Sequence, residues 1–282
     1  MVSILRNISA LALILLSGLP LSGRGQEEPR QIKVMSYNIR QGLADDGPNS
    51  WQYRAPASAM MLLDCNPDVI GLQEVRTFQA DYLIQCCPGY RYVGVGRDNG
   101  RKEGEMVPVF YNKKKVSLKK SGTFWLSETP DKPSKGWDGA CKRIATWAVF
   151  KHKESGCKFL FVNTHLDHKG KEAQAKGAAL LLERIAQINK DDLPVVLTGD
   201  FNLTEDQEPM LRIGEQLRNA RQRAAVSDNK GTFHGWGKKS KIIDHIFYSG
   251  FSSCILYRTE DKEYLERTFI SDHFPISAQL VS

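Results

Sequence analysis

Six stretches of the chain share one pattern, a short apolar run joined to a polar or ionisable tip: VMSYN, VIGLQE, FLFVNTH, VVLTGDFN, IIDH and SDHFPI. Each run has the length and β-branched character of a buried strand. The pattern therefore predicts that Asn38, Glu74, His165, Asp200, Asn202, Asp244, Asp272 and His273 emerge where strands end. Strand ends of a layered α/β fold converge on a shared rim. Carboxylates are costly inside a strand core, so acids, amides and imidazoles collected at the tips point to one site.

The rest of the pattern alternates strand and helix. Strands are predicted over Ile32–Asn38 and Val69–Gln73, with a helix over Pro56–Leu63 that turns Met60, Met61, Leu62 and Leu63 toward the core. After Gly89 the chain becomes β-rich, through Tyr92–Val95, Val107–Tyr111, Ile144–Phe150 and Phe159–Asn163. A helix follows from Lys171 to Ile188, with Ala175, Ala178, Ala179, Leu182 and Ile185 at helical spacing. Strands at Val195–Leu197, Ile243–Tyr248, Cys254–Tyr257 and Ile276–Leu280 complete it. A turn at Lys153–Gly156 pairs its flanking strands so that opposite positions sum to about 309, which sets Cys157 across from His152 and away from Cys141. The first and last motifs lie about 240 residues apart with no repeat or linker between them, so residues 26–282 are expected to form a single domain.

The N-terminus changes the picture of destination. Arg6, the apolar run Leu11–Leu16 and the small residues Ser22, Gly23 and Gly25 have the layout of a secretory signal peptide over residues 1–25. Ser17, Gly18 and Pro20 interrupt the run before it could span a bilayer. The expectation is an exported, periplasmic or extracellular protein, monomeric and without stable membrane association after cleavage. Cleavage removes Arg6 and Arg24 and no acid, so the formal charge of +7 falls to +5. A basic protein attracts anionic substrates. Lys113, Lys114, Lys115, Lys119 and Lys120 fit a solvated face, whereas Lys238, Lys239 and Lys241 directly precede Asp244. The six cysteines show no zinc spacing, and most are expected to be buried free thiols.

Taken in order from Ile32 to Leu280, the tipped motifs resemble the endonuclease/exonuclease/phosphatase superfamily, which includes deoxyribonuclease I, exonuclease III, neutral sphingomyelinases, inositol polyphosphate 5-phosphatases and nocturnin-like deadenylases. The stretch GVGRD, GE, PVFY, GTFWLSETP, KRIATW and NTHLDH is similar to a bacterial branch whose members mostly lack an assigned substrate. The resemblance implies a four-layer α/β/β/α sandwich, two mixed β-sheets face to face with helices outside, and a site at one rim. It also implies that Glu74 is the principal metal carboxylate, with Asn38 and Asp272 beside it. Oxygen donors without a thiolate suit Mg²⁺ or Mn²⁺. Asp200 and Asn202 would orient or deprotonate a water, His165 and His273 would donate to phosphate oxygens, and Asp244 would hold His273.

These residues suit a metal-dependent hydrolase of phosphate esters. The leading substrate class is a soluble phosphorylated small molecule: a sugar phosphate, nucleotide or inositol phosphate. Arg97 and Arg143 are candidates to fork onto its oxygens, Trp137 to stack on its ring, and Asp167 and His168 either to touch it or to shape a loop. His234 and His245 are expected to be structural. The runner-up is an exported endonuclease or exonuclease on DNA or RNA, with the lysines meeting phosphates. Histidine at position 165 argues against an abasic-site enzyme, which tends to carry asparagine there. A sphingomyelinase would want an apolar hairpin, and Lys151–Gly156 is polar. A non-catalytic binding module would be expected to have lost Glu74, Asp200 or His273, and all are present.

Overall fold

The computed structural model describes residues 30–282, so the signal-peptide reading of residues 1–25 lies outside the described residues. Two six-stranded mixed sheets pack face to face. The first contains β1 (Gln31–Asn38), β2 (Val69–Gln73), β3 (Tyr90–Val93), β4 (Val109–Asn112), β11 (Ser253–Thr259) and β12 (Ile276–Val281), in the order β11-β12-β1-β2-β4-β3. The second contains β5 (Val116–Trp125), β6 (Ile144–His152), β7 (Lys158–His165), β8 (Val195–Asp200), β9 (Arg218–Asn219) and β10 (Asp244–Ser249), in the order β5-β6-β7-β8-β10-β9. Each sheet has one parallel pair, at its centre: β1 with β2 and β7 with β8. Parallel neighbours need a crossover, and helices α1 (Trp51–Cys65) and α3 (Lys171–Ile188) supply it.

Side-chain alternation assigns the layers. On β1, Ile32 and Val34 face the other sheet, where they pack with Phe159 and Phe161 of β7 and Ile246 of β10. Met35 and Tyr37 face outward, into a core closed by α1 and by α2 (Thr77–Cys86). The outward side of the second sheet is closed by α3 and α4 (Glu208–Gln216) over Leu160, Val162 and Leu197. Helix, sheet, sheet and helix make four layers, as the resemblance implied.

Between the sheets the inward residues change character along each strand. Ile32 and Val34 give way to Ser36 and Asn38, Phe159 and Phe161 to Asn163 and His165, and Val196 to Thr198 and Asp200. One step below the rim these residues form a buried polar layer. Gln73 Nε2 donates to Asn163 Oδ1 (2.7 Å) and Ser36 Oγ (3.1 Å), and Thr198 Oγ1 donates to the same Asn163 oxygen (3.1 Å). Gly71 makes room for it, because a Cβ there would stand 2.4 Å from Asn163 Oδ1. This layer ties β1, β2, β7 and β8 together directly under the strand tips.

Several elements differ from the sequence reading. The first helix starts at Trp51 and carries Pro56 inside it, and Met60 and Leu63 are exposed while Met61 and Leu62 are buried. A helix turns about 100° per residue, so four consecutive apolar positions cannot share a face. In α3 the buried stripe is Ala173, Gly177, Ala178, Leu181 and Ile185, which leaves Ala179 exposed. β5, α2 and α4 were not predicted, and β5 contains Lys119 and Lys120, so it is more than a solvated charged face. The β6–β7 pairing follows the predicted register, with Ala145 opposite Thr164 and the His152 N–H donating to the Cys157 carbonyl (2.8 Å). Among the described residues no helix is long and apolar enough to cross a membrane.

Candidate active site

The two parallel pairs end at the same rim, and the predicted residues meet there. Asn38 closes β1, His165 closes β7 and Asp200 closes β8, all on the inter-sheet face. Asp244 begins β10 directly opposite Asp200. Glu74 follows the last residue of β2 and by simple alternation would point outward, but its φ of 61° turns the chain and brings the side chain back over the rim. Asn202 does the same after β8, with φ 53°. Non-glycine residues in this region carry backbone strain, and here two of them turn their side chains into one cleft.

Asn38 connects the sheets. Its Nδ2 donates to Asp200 Oδ2 (2.9 Å) and Glu74 Oε1 (3.1 Å), while its Oδ1 accepts from the Arg40 N–H (3.0 Å), so the amide orientation is determined. The Gln41 N–H holds the other Glu74 oxygen at 3.0 Å. Asn202 donates its backbone N–H to Asp200 Oδ1 (2.9 Å) and its side-chain amide to the Leu166 carbonyl (3.1 Å) and His165 Nε2 (3.0 Å). His165 Nε2 is thus an acceptor and its proton sits on Nδ1, which has no partner. Burial first, then the Arg143 and Arg97 charges, push His165 well below the usual imidazole range, so it is neutral.

His273 is its opposite. Its Nδ1–H donates to Asp244 Oδ2 (2.8 Å), and Nε2 lies 3.7 Å from Asp200 Oδ2. Burial opposes its charge, but Asp244 and Asp200 outweigh burial and raise its pKa to about 10. Burial, reinforced by Asp244, raises Asp200 to about 7. Asp272 is raised too, by burial and by Glu74, with Arg40 acting the other way. Glu74, His165 and Asp200 bring ligand atoms within 4.8 Å of one another, as do Asp200, Asp244 and His273. Buried acids repelling one another around oxygen donors fit a hard divalent cation, which would relieve that repulsion.

The second group of expected residues divides. Arg143 is buried, donates Nη2 to His168 Nδ1 (3.0 Å) and sets Nε 3.5 Å from Asp167 Oδ2 in an ion pair. Arg97 pairs with Glu105 at 2.8 Å, and burial raises the Glu105 carboxyl against the pull of Arg97. The arginines form one wall beside His165. Of the two roles expected for Asp167 the structure shows the loop scaffold: it accepts backbone N–H groups from Ala140 (3.0 Å), Lys169 (2.9 Å) and Gly170 (2.9 Å). Burial opposes its ionisation, yet those bonds bring its pKa down to about 2. Trp137 is half-buried with Lys176 Nζ 5.9 Å from its ring, and among the described residues no hydrogen bond, ion pair or ring contact joins it to the cluster.

His234 and His245 have structural surroundings. His234 stacks 4.4 Å from Phe269, and His245 Nε2 bonds the Leu203 carbonyl at 2.9 Å. Two supporting residues carried no motif. Thr232 Oγ1 donates to Asp244 Oδ2 (2.6 Å) and so fixes the acid that holds His273. Arg54, fully buried in α1, donates to the carbonyls of Ile39, Arg40 (2.8 Å) and Ile270 (3.2 Å), clamping the loops of Asn38 and Asp272 together. Thr232 sits in the lysine-rich GTFHGWGKKSK loop, whose proximity to Asp244 was its one signal. The same loop sets Phe233 4.8 Å from the His273 ring, with Lys239 Nζ 5.2 Å from Phe233.

Known proteins are similar to this chain in sequence and fold. A mannosyl-6-phosphatase of Bacteroides thetaiotaomicron is 36% identical and superposes with a TM-score of 0.84 over 89% of this chain and 100% of its own. An uncharacterised protein of Acanthamoeba polyphaga mimivirus is 26% identical over 87% of this chain and 98% of itself. The CCR4-Not complex 3'-5'-exoribonuclease subunit Ccr4 of Candida albicans is 26% identical over 81% of this chain, which spans only 37% of that protein. The sequence profile of the Endonuclease/Exonuclease/phosphatase family matches residues 35–273. The chain belongs to the endonuclease/exonuclease/phosphatase family of metal-dependent phosphoester hydrolases.

Proposed function

We propose that this chain is a phosphomonoesterase of soluble small molecules, with sugar phosphates as the leading substrate class. The observation that carries the reading is the wall of Arg97, Arg143 and His168 beside His165. A terminal phosphate has a second negative charge that an internal diester lacks, and two guanidiniums on one wall, with Arg143 held in place by Asp167 (3.5 Å) and His168 (3.0 Å), are suited to receive it. The phosphatase from Bacteroides thetaiotaomicron, matched over nearly its whole length, supports the same class. The Ccr4 relative supports a second reading, an exonuclease, for which Lys238, Lys239 and Lys241 would meet the strand.

In this reading Glu74, with Asn38 and Asp272, holds Mg²⁺ or Mn²⁺. When bound, the cation polarises the phosphoryl group and offsets its charge. Asp200, titrating near neutrality, takes the proton of the attacking water, and Asn202 orients that water. His273, kept cationic by Asp244, donates from Nε2 to a phosphoryl oxygen, and neutral His165 lines the site beside it. The enzyme is monomeric and exported.

A panel of phosphorylated sugars, nucleotides, inositol phosphates and plasmid DNA, assayed with Mg²⁺, tests this. Sugar phosphates should give the highest kcat/KM, and Arg143→Met should raise KM for monoesters more than for a diester. Preferred cleavage of DNA or an oligonucleotide would overturn the monoester reading.

A further inference from the structure

Helices do not fully cover the outer face of the second sheet. α3 ends at Ile188, and beyond its last turn the far ends of β5, β6 and β7 border a cavity of about 620 Å³. Its floor is apolar, formed by Trp147, Val149 and Leu160 with Leu193 on the helix side. Trp147 lies flat across β5 because residue 122 is glycine, where a Cβ would meet the indole at 2.8 Å. The ring forms part of the floor and leaves the cavity open.

Lys119, Lys120, Lys151 and Lys158 stand around that floor, and Asp191 is the one acid in the lining. All four lysines are exposed, and none is paired with a carboxylate among the described residues. Consecutive strand residues point to opposite faces, so Lys119 and Lys120 could not both line one cavity in a regular strand. The β5–β6 register shifts between Leu118 and Lys120, and the irregularity lets them do so. Lysines on an edge strand often only prevent strand pairing, which would account for Lys119 and Lys120. It does not account for Lys151 and Lys158, whose strands are paired on both sides.

We infer that this cavity binds a free amphipathic anion: an aliphatic or fused-ring body on the Trp147 floor, with its carboxylate, sulfate or phosphate among the lysines. A volume in the range of small-molecule sites, an apolar base and unpaired cations at the mouth match one such molecule better than a flat membrane surface. β7 carries Lys158 at one end and His165 at the other, so the cavity lies about 23 Å from the rim residues and is a separate site.

Titration of the full chain with decanoate and with uncharged decanol, both below micelle-forming concentrations, tests this by calorimetry and tryptophan fluorescence. Decanoate should saturate one site per chain and bind roughly tenfold or more tightly than decanol. The Lys120→Glu/Lys158→Glu variant should lose about tenfold or more in decanoate affinity while keeping its melting temperature and its hydrolysis of phosphate esters. Trp147→Phe should abolish the fluorescence change and leave the calorimetric signal. Equal affinity for decanol, indifference to charge reversal, or no saturable decanoate binding would each overturn the inference. So would lysine-dependent sedimentation with phosphatidylglycerol vesicles, or capture of a polyglutamate peptide, by a protein that ignores monomeric decanoate.

Discussion

Replacing Asp200 by asparagine should make the metal-free protein more stable at pH 8 and catalytically inert. Asp200 is 2% exposed, and burial together with Asp244 lifts its pKa from 3.8 to about 7. A group whose folded pKa exceeds its unfolded value holds its proton more tightly in the folded state. Its stabilising contribution is complete below pH 3.8, is lost as the pH rises toward 7, and does not change beyond. The gap between 3.8 and about 7, at roughly 1.4 kcal/mol per pH unit, puts the cost of the ionised carboxylate at about 4 kcal/mol. Asparagine escapes that cost but turns an acceptor into a donor facing Asn38 Nδ2, losing a 2.9 Å bond worth roughly 1–2 kcal/mol. The net effect is therefore a gain of about 2–3 kcal/mol at pH 8 and a loss of about 1 kcal/mol at pH 4.

Urea unfolding followed by tryptophan fluorescence, in excess chelator at both pH values, measures the difference. Adding Mg²⁺ should stabilise the wild type more than the variant and narrow the gap, because the cation relieves the same repulsion. Turnover should fall by roughly 10²–10⁴-fold at every pH, as expected when a proton acceptor is lost. A variant whose stability relative to wild type is the same at pH 4 and pH 8 would refute the reasoning, since Asp200 would then carry no buried-charge penalty for the reaction to use.

Other outcomes follow from the same geometry. His273→Ala should lower kcat by roughly 10²–10⁴-fold, Asp244→Asn by no more, and the double variant scarcely further, because the 2.8 Å pair acts as a unit; losses that multiply would show independent roles. Chelation should abolish activity reversibly, and Glu74→Ala should blunt the metal response without unfolding the protein; full turnover in excess chelator would exclude this. Gly71→Ala should cost about 1–3 kcal/mol on thermal or urea unfolding, because its Cβ would stand 2.3 Å from Thr198 Oγ1; an unchanged midpoint would show that the polar layer yields freely. The mature natural product should have a mass beginning near Gln26, and recovery of the full-length chain from the cytosol would count against export.

The strand tips were legible because each motif couples an apolar run to a polar end, and strand periodicity converts that coupling into a position. His165 and Asp200 needed nothing more. Glu74 and Asn202 needed the left-handed turn that reverses their direction, which no local pattern announces for a glutamate. β5 was hidden because Lys119, Lys120 and Gly122 read as a charged loop until Trp147 covers the glycine from the next strand. Arg54 lies before the helix predicted over Pro56–Leu63 and belongs to no motif. Its partners are carbonyls at Ile39, Arg40 and Ile270, and only the tertiary fold brings those together. Asp167 shared a motif with His165, so the sequence could not tell a residue that faces the cleft from one spent on backbone N–H groups.

The position of the site follows from the way the two sheets repeat one plan. Each has an antiparallel arm, a central parallel pair joined by a crossover helix, and a second antiparallel arm. Two parallel pairs, facing each other and ending at one rim, bring four strand ends together where a single sheet would offer two. The inward residues then grade from Ile32, Phe159 and Val196, through Ser36, Asn163 and Thr198, to Asn38, His165 and Asp200. The apolar lower layers hold the sheets together, and the middle layer pairs its side chains with one another through Gln73, Asn163 and Thr198. Only the top layer keeps charges that repel one another. Those charges are tolerable because the layers beneath prevent the sheets from parting to solvate them. The Asn38–Asp200 bond, which crosses from sheet to sheet, cannot survive separation of the sheets. Loss of the inter-sheet core should therefore remove activity before it removes secondary structure.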